Sequence, residues 1–133
     1  MGNRSMVQTV ALVFGVVYLA VGIVGFLPFL GGSYTQTSSN LLGIFSINLL
    51  HNIVHLLIGI AGIAAAASIA SSRSYEQVVG VVLLLLGVVG IFVAQPLGLL
   101  NIGGPDIFLH LATGAILAYF GFAAATTPRR AAV

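Results

Sequence analysis

The chain has 133 residues, of which 59% are hydrophobic and 5% charged, with a formal net charge of +2. Soluble domains carry about 25% charged residues, so this composition, with a mean hydropathy of +1.19, cannot cover a water-facing surface and reads as an integral membrane protein. The pI near 9.5 reflects Arg4, Arg73, Arg129 and Arg130 against Glu76 and Asp106, with no basic patch, which excludes nucleic acid as a partner; the lack of cysteine excludes disulfides and thiolate chemistry.

Four apolar stretches are long enough to span a bilayer, at about 20 residues per helix. They run roughly over 7–29, 44–70, 77–95 and 105–125, within one integral membrane domain of residues 1–133. Lipid offers the backbone no hydrogen-bond partner, and continuous rather than alternating apolar runs select helices over a barrel. The opening "MGNRSM" resembles a signal-peptide start, but the apolar run after it exceeds an h-region of about 7–15 residues. It is therefore read as a retained helix. Pro28 and Pro96 should end the first and third spans. Ser39 or Asn40 is expected to cap the second span. "SSRSYEQ" reads as a tight turn, with Ser74 capping the third span. Pro105 fits the first turn of the fourth, with Asp106 favourable at that end. All four arginines fall on one side of this arrangement, and the positive-inside rule then places both termini in the cytoplasm. The expected location is a bacterial inner membrane or its equivalent.

Spans one and three share a glycine spacing: Gly15, Gly22 and Gly25 match Gly80, Gly87 and Gly90. Spans two and four share another: His51, His55 and Gly59 match Asp106, His110 and Gly114. The order points to a tandem repeat of a two-helix hairpin. At 3.6 residues per turn, Asn48, His51, His55, Gly59, Gly62 and Ala66 form one stripe, as do Asp106, His110, Gly114, Ala118, Gly121 and Ala125. Small residues let membrane helices approach closely. The stripes should face inward and the Leu/Ile/Val/Phe faces should meet lipid. The expected fold is all-α, a four-transmembrane-helix bundle.

Polar groups inside the membrane are costly, so His51, Asn52, His55, Asp106 and His110 demand an account. With His55 roughly 15 Å inside the second span, these groups and Asn48 are expected to form one cluster in the outer half of the bundle. His51, His55, His110 and Asp106 could ligate a metal ion, with Asn48 and Asn52 supporting them. Alternatively, His55 and His110 could be the axial ligands of a haem. Proton or small-solute passage through the histidines and Asp106 is a third reading. Against all three stands a purely structural one, in which the cluster fixes helix register in an accessory subunit packed on a larger membrane complex or on itself. Short loops leave no soluble catalytic domain, and the chain carries no nucleophile elbow, phosphate loop or dinucleotide fingerprint, so nothing points to an enzyme.

"FSINLLHNIVHLLIGIAG" and "NIGGPDIFLHLATGAILAYFG" together resemble a bacterial family of small four-helix membrane proteins that carries only the label of a domain of unknown function. The resemblance covers nearly the whole chain. It implies the topology and a shared polar cluster at Asn48, His51, Asn52, His55, Asp106 and His110, and no activity.

Overall fold

A computed structural model describes residues 4–94 and 99–124. Among them are four α-helices: α1 (Met6–Val24), α2 (Leu49–Ala65), α3 (Ile69–Phe92) and α4 (Pro105–Phe122). A short antiparallel ribbon of β1 (Ser39–Leu41) and β2 (Phe45–Ile47) precedes α2. Helices α1, α3 and α4 are long and apolar enough to cross a membrane, whereas α2, at 17 residues, is a shorter apolar helix. The chain is thus a small multi-pass membrane protein.

The helix boundaries differ from the sequence-based spans for local reasons. Ser5 caps α1 through a capping box with Gln8. The helix ends at Val24, and Pro28 opens a single 3-10 turn over Pro28–Leu30. The residue before a proline disfavours helical backbone, and Leu27 is extended at φ −89°. The second helix begins at Leu49 instead of 44, because the β1–β2 ribbon occupies the intervening residues. Leu42 (φ 53°) and Gly43 (φ 76°) turn that ribbon in the left-handed region. The cap is therefore Asn48, whose side chain accepts from the His51 backbone N–H; neither Ser39 nor Asn40 serves. This puts His55 six residues into α2, a depth of about 9 Å, shallower than expected.

"SSRSYEQ" is not a turn. Ser68 caps α3, so these residues form its opening turns. The hydroxyls of Ser71 and Ser72 both reach back to the Ala65 carbonyl at 2.7 and 3.0 Å, carrying the chain from α2 to α3 within three residues. Pro105 occupies the first turn of α4, as its fixed φ favours. Pro96, Gln95, Ala125, Arg129 and Arg130 lie outside the described residues.

Helix α1 packs chiefly on α2, and α3 on α4. Glycines make this possible. Gly15 lies against Gly62 and Ile63, Gly22 against Leu56, and Gly59 against Leu19; Gly80 lies against Leu117 and Ala118, Gly87 against Leu111, and Gly114 against Leu84. Side chains at these positions would hold the backbones apart, so small residues are what set the spacing. Ala11, Tyr18, Ala66, Tyr75, Leu83 and Leu117 form the buried core between the two hairpins. The opposite faces carry exposed apolar side chains, among them Val13, Leu57, Leu85, Phe92 and Phe108. This inside-out pattern is the one expected of helices in lipid.

Candidate functional site

The first turns of α2 and α4 meet at one end of the bundle. Asn48 holds the start of α2: besides capping it, its amide donates to the Leu99 carbonyl at 2.8 Å and ties the helix to the loop before α4. That loop supplies the Asn101 carbonyl, which lies 2.8 Å from His51 Nδ1. One turn later, His55 Nε2 sits 3.1 Å from His51 Nε2. From α4, His110 Nδ1 lies 2.8 Å from the Asp106 carbonyl and 3.4 Å from Asp106 Oδ1. His51 Nε2 is 3.9 Å from Asp106 Oδ2. One ligand nitrogen from each histidine falls within 4.8 Å of the others.

Hydrogen-bond chemistry orients these rings. A carbonyl oxygen can only accept, so Nδ1 of His51 and of His110 must carry the proton. In the neutral rings both Nε2 atoms then present lone pairs. Metal-ligating histidines are held in this way, by donating the other ring N–H to a carbonyl or carboxylate. His51, His55, Asp106 and His110 are 2–8% exposed, so the cluster is shielded from the surroundings. Two of its atoms, His55 Nδ1 and Asp106 Oδ2, are buried with no hydrogen-bond partner among the described residues. A void of about 30 Å³ borders all three histidines; roughly 10–15 Å³ suffices for one water-sized occupant.

Asn52 turns elsewhere. Its amide donates to the Gly25 carbonyl at 2.6 Å and to the Ser33 carbonyl at 3.0 Å, fastening α2 to the end of α1. Both amide bonds serve the scaffold. Tyr18, by contrast, belongs to the site's edge: its ring stands edge-on to His55 at 5.2 Å and its hydroxyl pairs with Thr113 at 2.9 Å. At 3.6 residues per turn it shares a face of α1 with Gly15, Gly22 and Gly25. Asn101 contributes through its backbone, for which no residue-type signal exists.

Glu76 is the larger surprise, since a tight turn would have left it in water. It is 0% exposed inside α3, and among the described residues no donor reaches either carboxyl oxygen at hydrogen-bond geometry, the Arg73 charge and the Ala11 backbone N–H being the polar groups that act on it. It lies beside Gly121 of α4, eleven residues from His110 and therefore about 16 Å away along the helix. Its neighbour Arg73 donates instead to the Ala124 carbonyl at 3.2 Å. The bundle thus buries an acid near each end, where the sequence reading expected Asp106 alone.

A family model for a domain of unknown function, DUF4383, matches residues 8–123. The chain belongs to this family. The match runs from the first turn of α1 to the end of α4 and so contains the whole histidine cluster. No curated protein and no solved structure matches the chain.

Proposed function

We propose that this member of the family binds one transition-metal ion, of the kind that imidazole and carboxylate together suit, at His51, His55 and His110, with Asp106 as fourth ligand. The carrying observation is the convergence of three ring nitrogens within 4.8 Å of one another, two of the rings oriented by backbone carbonyls at Nδ1. Three nitrogens and one oxygen suit zinc, and also iron, copper or nickel. The unpartnered Asp106 Oδ2, close to His51 Nε2, is the natural fourth donor. Asn48 supports the ligands by holding His51.

The ring geometry weighs against the haem alternative with His55 and His110 as axial ligands. The His51 ring packs 4.5 Å from His55 and 5.7 Å from His110, inside the footprint a porphyrin between them would need. Proton passage and a purely structural accessory subunit are the competing outcomes. Elemental analysis of protein purified from membranes decides among them: about one metal ion per chain, lost on replacing any of the three histidines, supports the metal site. Metal-free protein that stays folded with all three histidines replaced overturns it.

Two architectural readings accompany this proposal. The first is duplication. Three glycine contacts in the α1–α2 hairpin have counterparts at corresponding positions of the α3–α4 hairpin: Gly15 with Ile63 mirrors Gly80 with Ala118, Gly22 with Leu56 mirrors Gly87 with Leu111, and Gly59 with Leu19 mirrors Gly114 with Leu84. These matched contacts support duplication over chance similarity in a Gly/Val/Leu-rich sequence. Such parallel repeats put binding sites at their interface, which is where the histidines lie. The second is orientation: Arg4 and Arg73 argue for cytoplasmic termini and for histidines near the outer leaflet of a bacterial inner membrane.

A further inference from the structure

A second and larger cavity, of about 380 Å³, lies between α1, α4 and the β1–β2 ribbon. That volume falls in the range of small-molecule sites, roughly 300–1,000 Å³. Val17 and Val21 of α1, Leu109 of α4 and Leu42 at the ribbon turn line it and are themselves exposed. Its mouth therefore opens sideways, on the apolar exterior that lipid reaches.

The polar residues on its border offer a ligand nothing to bond. His55, Asp106 and His110 are only 5–8% exposed. Thr113 gives its hydroxyl proton to the Leu109 carbonyl at 2.6 Å and so accepts that of Tyr18 at 2.9 Å, which leaves neither hydroxyl a proton to donate. Among the described residues neither Lys nor Arg lines the cavity. The surface that remains is hydrocarbon. Water needs two to four polar partners to settle in a cavity, and a ligand with a polar head would lose its hydrogen bonds to solvent without return. An empty space forfeits dispersion contacts along its whole wall. A hydrocarbon chain meets none of these penalties.

The cavity also has the depth of such a chain. On α1 its deepest wall residue, Val17, lies seven residues before the helix end at Val24, about 10 Å by the helical rise. On α4, Thr113 lies eight residues after Pro105, about 12 Å. One leaflet contributes about 15 Å, half of a hydrocarbon core of roughly 30 Å. The cavity thus stays inside the acyl layer of a single leaflet and closes before the midplane. Residues 31–48, which include the ribbon at its shallow end, carry no charged side chain, so no fixed charge there selects a headgroup.

We infer that this cavity holds one acyl chain of a bilayer phospholipid, selected by its hydrocarbon and not by its headgroup. The inference uses no ring nitrogen and stands apart from the metal reading.

The full chain is reconstituted in phosphatidylglycerol bilayers containing a trace of that lipid with a photoactivatable diazirine midway along one acyl chain. A parallel arm uses phosphatidylcholine with the same label. After illumination, peptide mass spectrometry locates the attached lipid. Leu57 and Leu85 are the reference positions. They lie outside the cavity at matching depths, eight residues into α2 and seven before the end of α3, and at 60% each they are more exposed than Val17, Val21 or Leu109. Passing contact with bulk lipid would label them at least as strongly. The expected result is labelling of Val17, Val21 and Leu109 several-fold above Leu57 and Leu85, alike for both lipids. Phospholipid retained through exchange into a steroid-based detergent, counted as phosphorus, should be about one per chain. Val21→Trp and Leu109→Trp, which fill the cavity from opposite walls, should lose it, and Leu57→Trp and Leu85→Trp should keep it, with folding checked by circular dichroism. Labelling no stronger at the cavity than at the reference positions overturns the inference on the parent chain alone. Labelling confined to one of the two lipids, or folded cavity variants that retain their phospholipid, overturns it as well.

Discussion

His51 Nε2 and His55 Nε2 face each other at 3.1 Å across one turn of α2. The His51 nitrogen is an acceptor, because its ring gives the Nδ1 proton to the Asn101 carbonyl. Without a metal, His55 must therefore donate from Nε2. With a metal, both lone pairs point at the ion and the His51–His55 hydrogen bond is replaced by coordination. The pair is arranged so that a cation and a proton compete for the same place.

Single replacements of His51, His55 or His110 by Ala should each abolish stoichiometric metal binding. Asp106→Asn keeps the shape and removes the charge. It should weaken metal affinity by about 10–100-fold, measured by competition against a chromogenic chelator. Unchanged affinity in Asp106→Asn would leave the carboxylate as a helix N-terminal group alone.

Asn48→Ala removes the cap of α2 and the bond to Leu99 together. Loss of an N-cap costs about 0.5–2 kcal/mol. The variant should melt at a lower temperature in detergent, and metal should restore part of the loss by holding His51 in place. A melting curve superimposable on that of the parent chain would count against this account.

Matched glycines should behave alike. A methyl group on Gly15 would come 2.5 Å from the Ile63 nitrogen, and one on Gly80 would come 2.5 Å from the Ala118 nitrogen. Gly15→Ala and Gly80→Ala should each destabilise by about 1–3 kcal/mol through overpacking. Gly103→Ala meets only Ser46 Oγ at 3.9 Å and should be neutral. Thermal unfolding of the three variants checks this. A tolerant Gly80 beside an intolerant Gly15 would sink the symmetry argument.

Glu76→Met replaces a buried carboxyl, with no donor at hydrogen-bond geometry among the described residues, by an apolar chain of similar length. Unsatisfied buried polar groups cost about 1–3 kcal/mol, so the variant should unfold at a higher temperature. If it unfolds at a lower one, Glu76 has a partner or a duty that repays its burial.

Orientation is testable because the chain has no cysteine. Thr37→Cys and Ser74→Cys place single thiols on exposed positions at opposite ends of the bundle. In intact cells an impermeant maleimide should label the first and spare the second. The reverse pattern would invert the proposed topology.

Much of this protein was legible in its residue order. The 3.6-residue stripes through His51, His55 and Gly59, and through Asp106, His110 and Gly114, put polar and small residues on the buried faces, because a helix in lipid has nowhere else to hide them. Composition dictated a membrane protein, and the long continuous apolar runs made it multi-pass and helical. Tertiary structure decided what periodicity could not. Asn52 and His51 are neighbours on one helix, yet one fastens α1 and the other faces α4, since the partner each meets depends on how the hairpins dock. Glu76 reads as a turn residue because serine, arginine and glutamate suit both a loop and a helix start; the Ser68 cap, with the Ser71 and Ser72 hydroxyls donating to the Ala65 carbonyl, makes it helical. The orientation of the imidazole nitrogens rests on backbone carbonyls, which every residue carries and no sequence pattern marks.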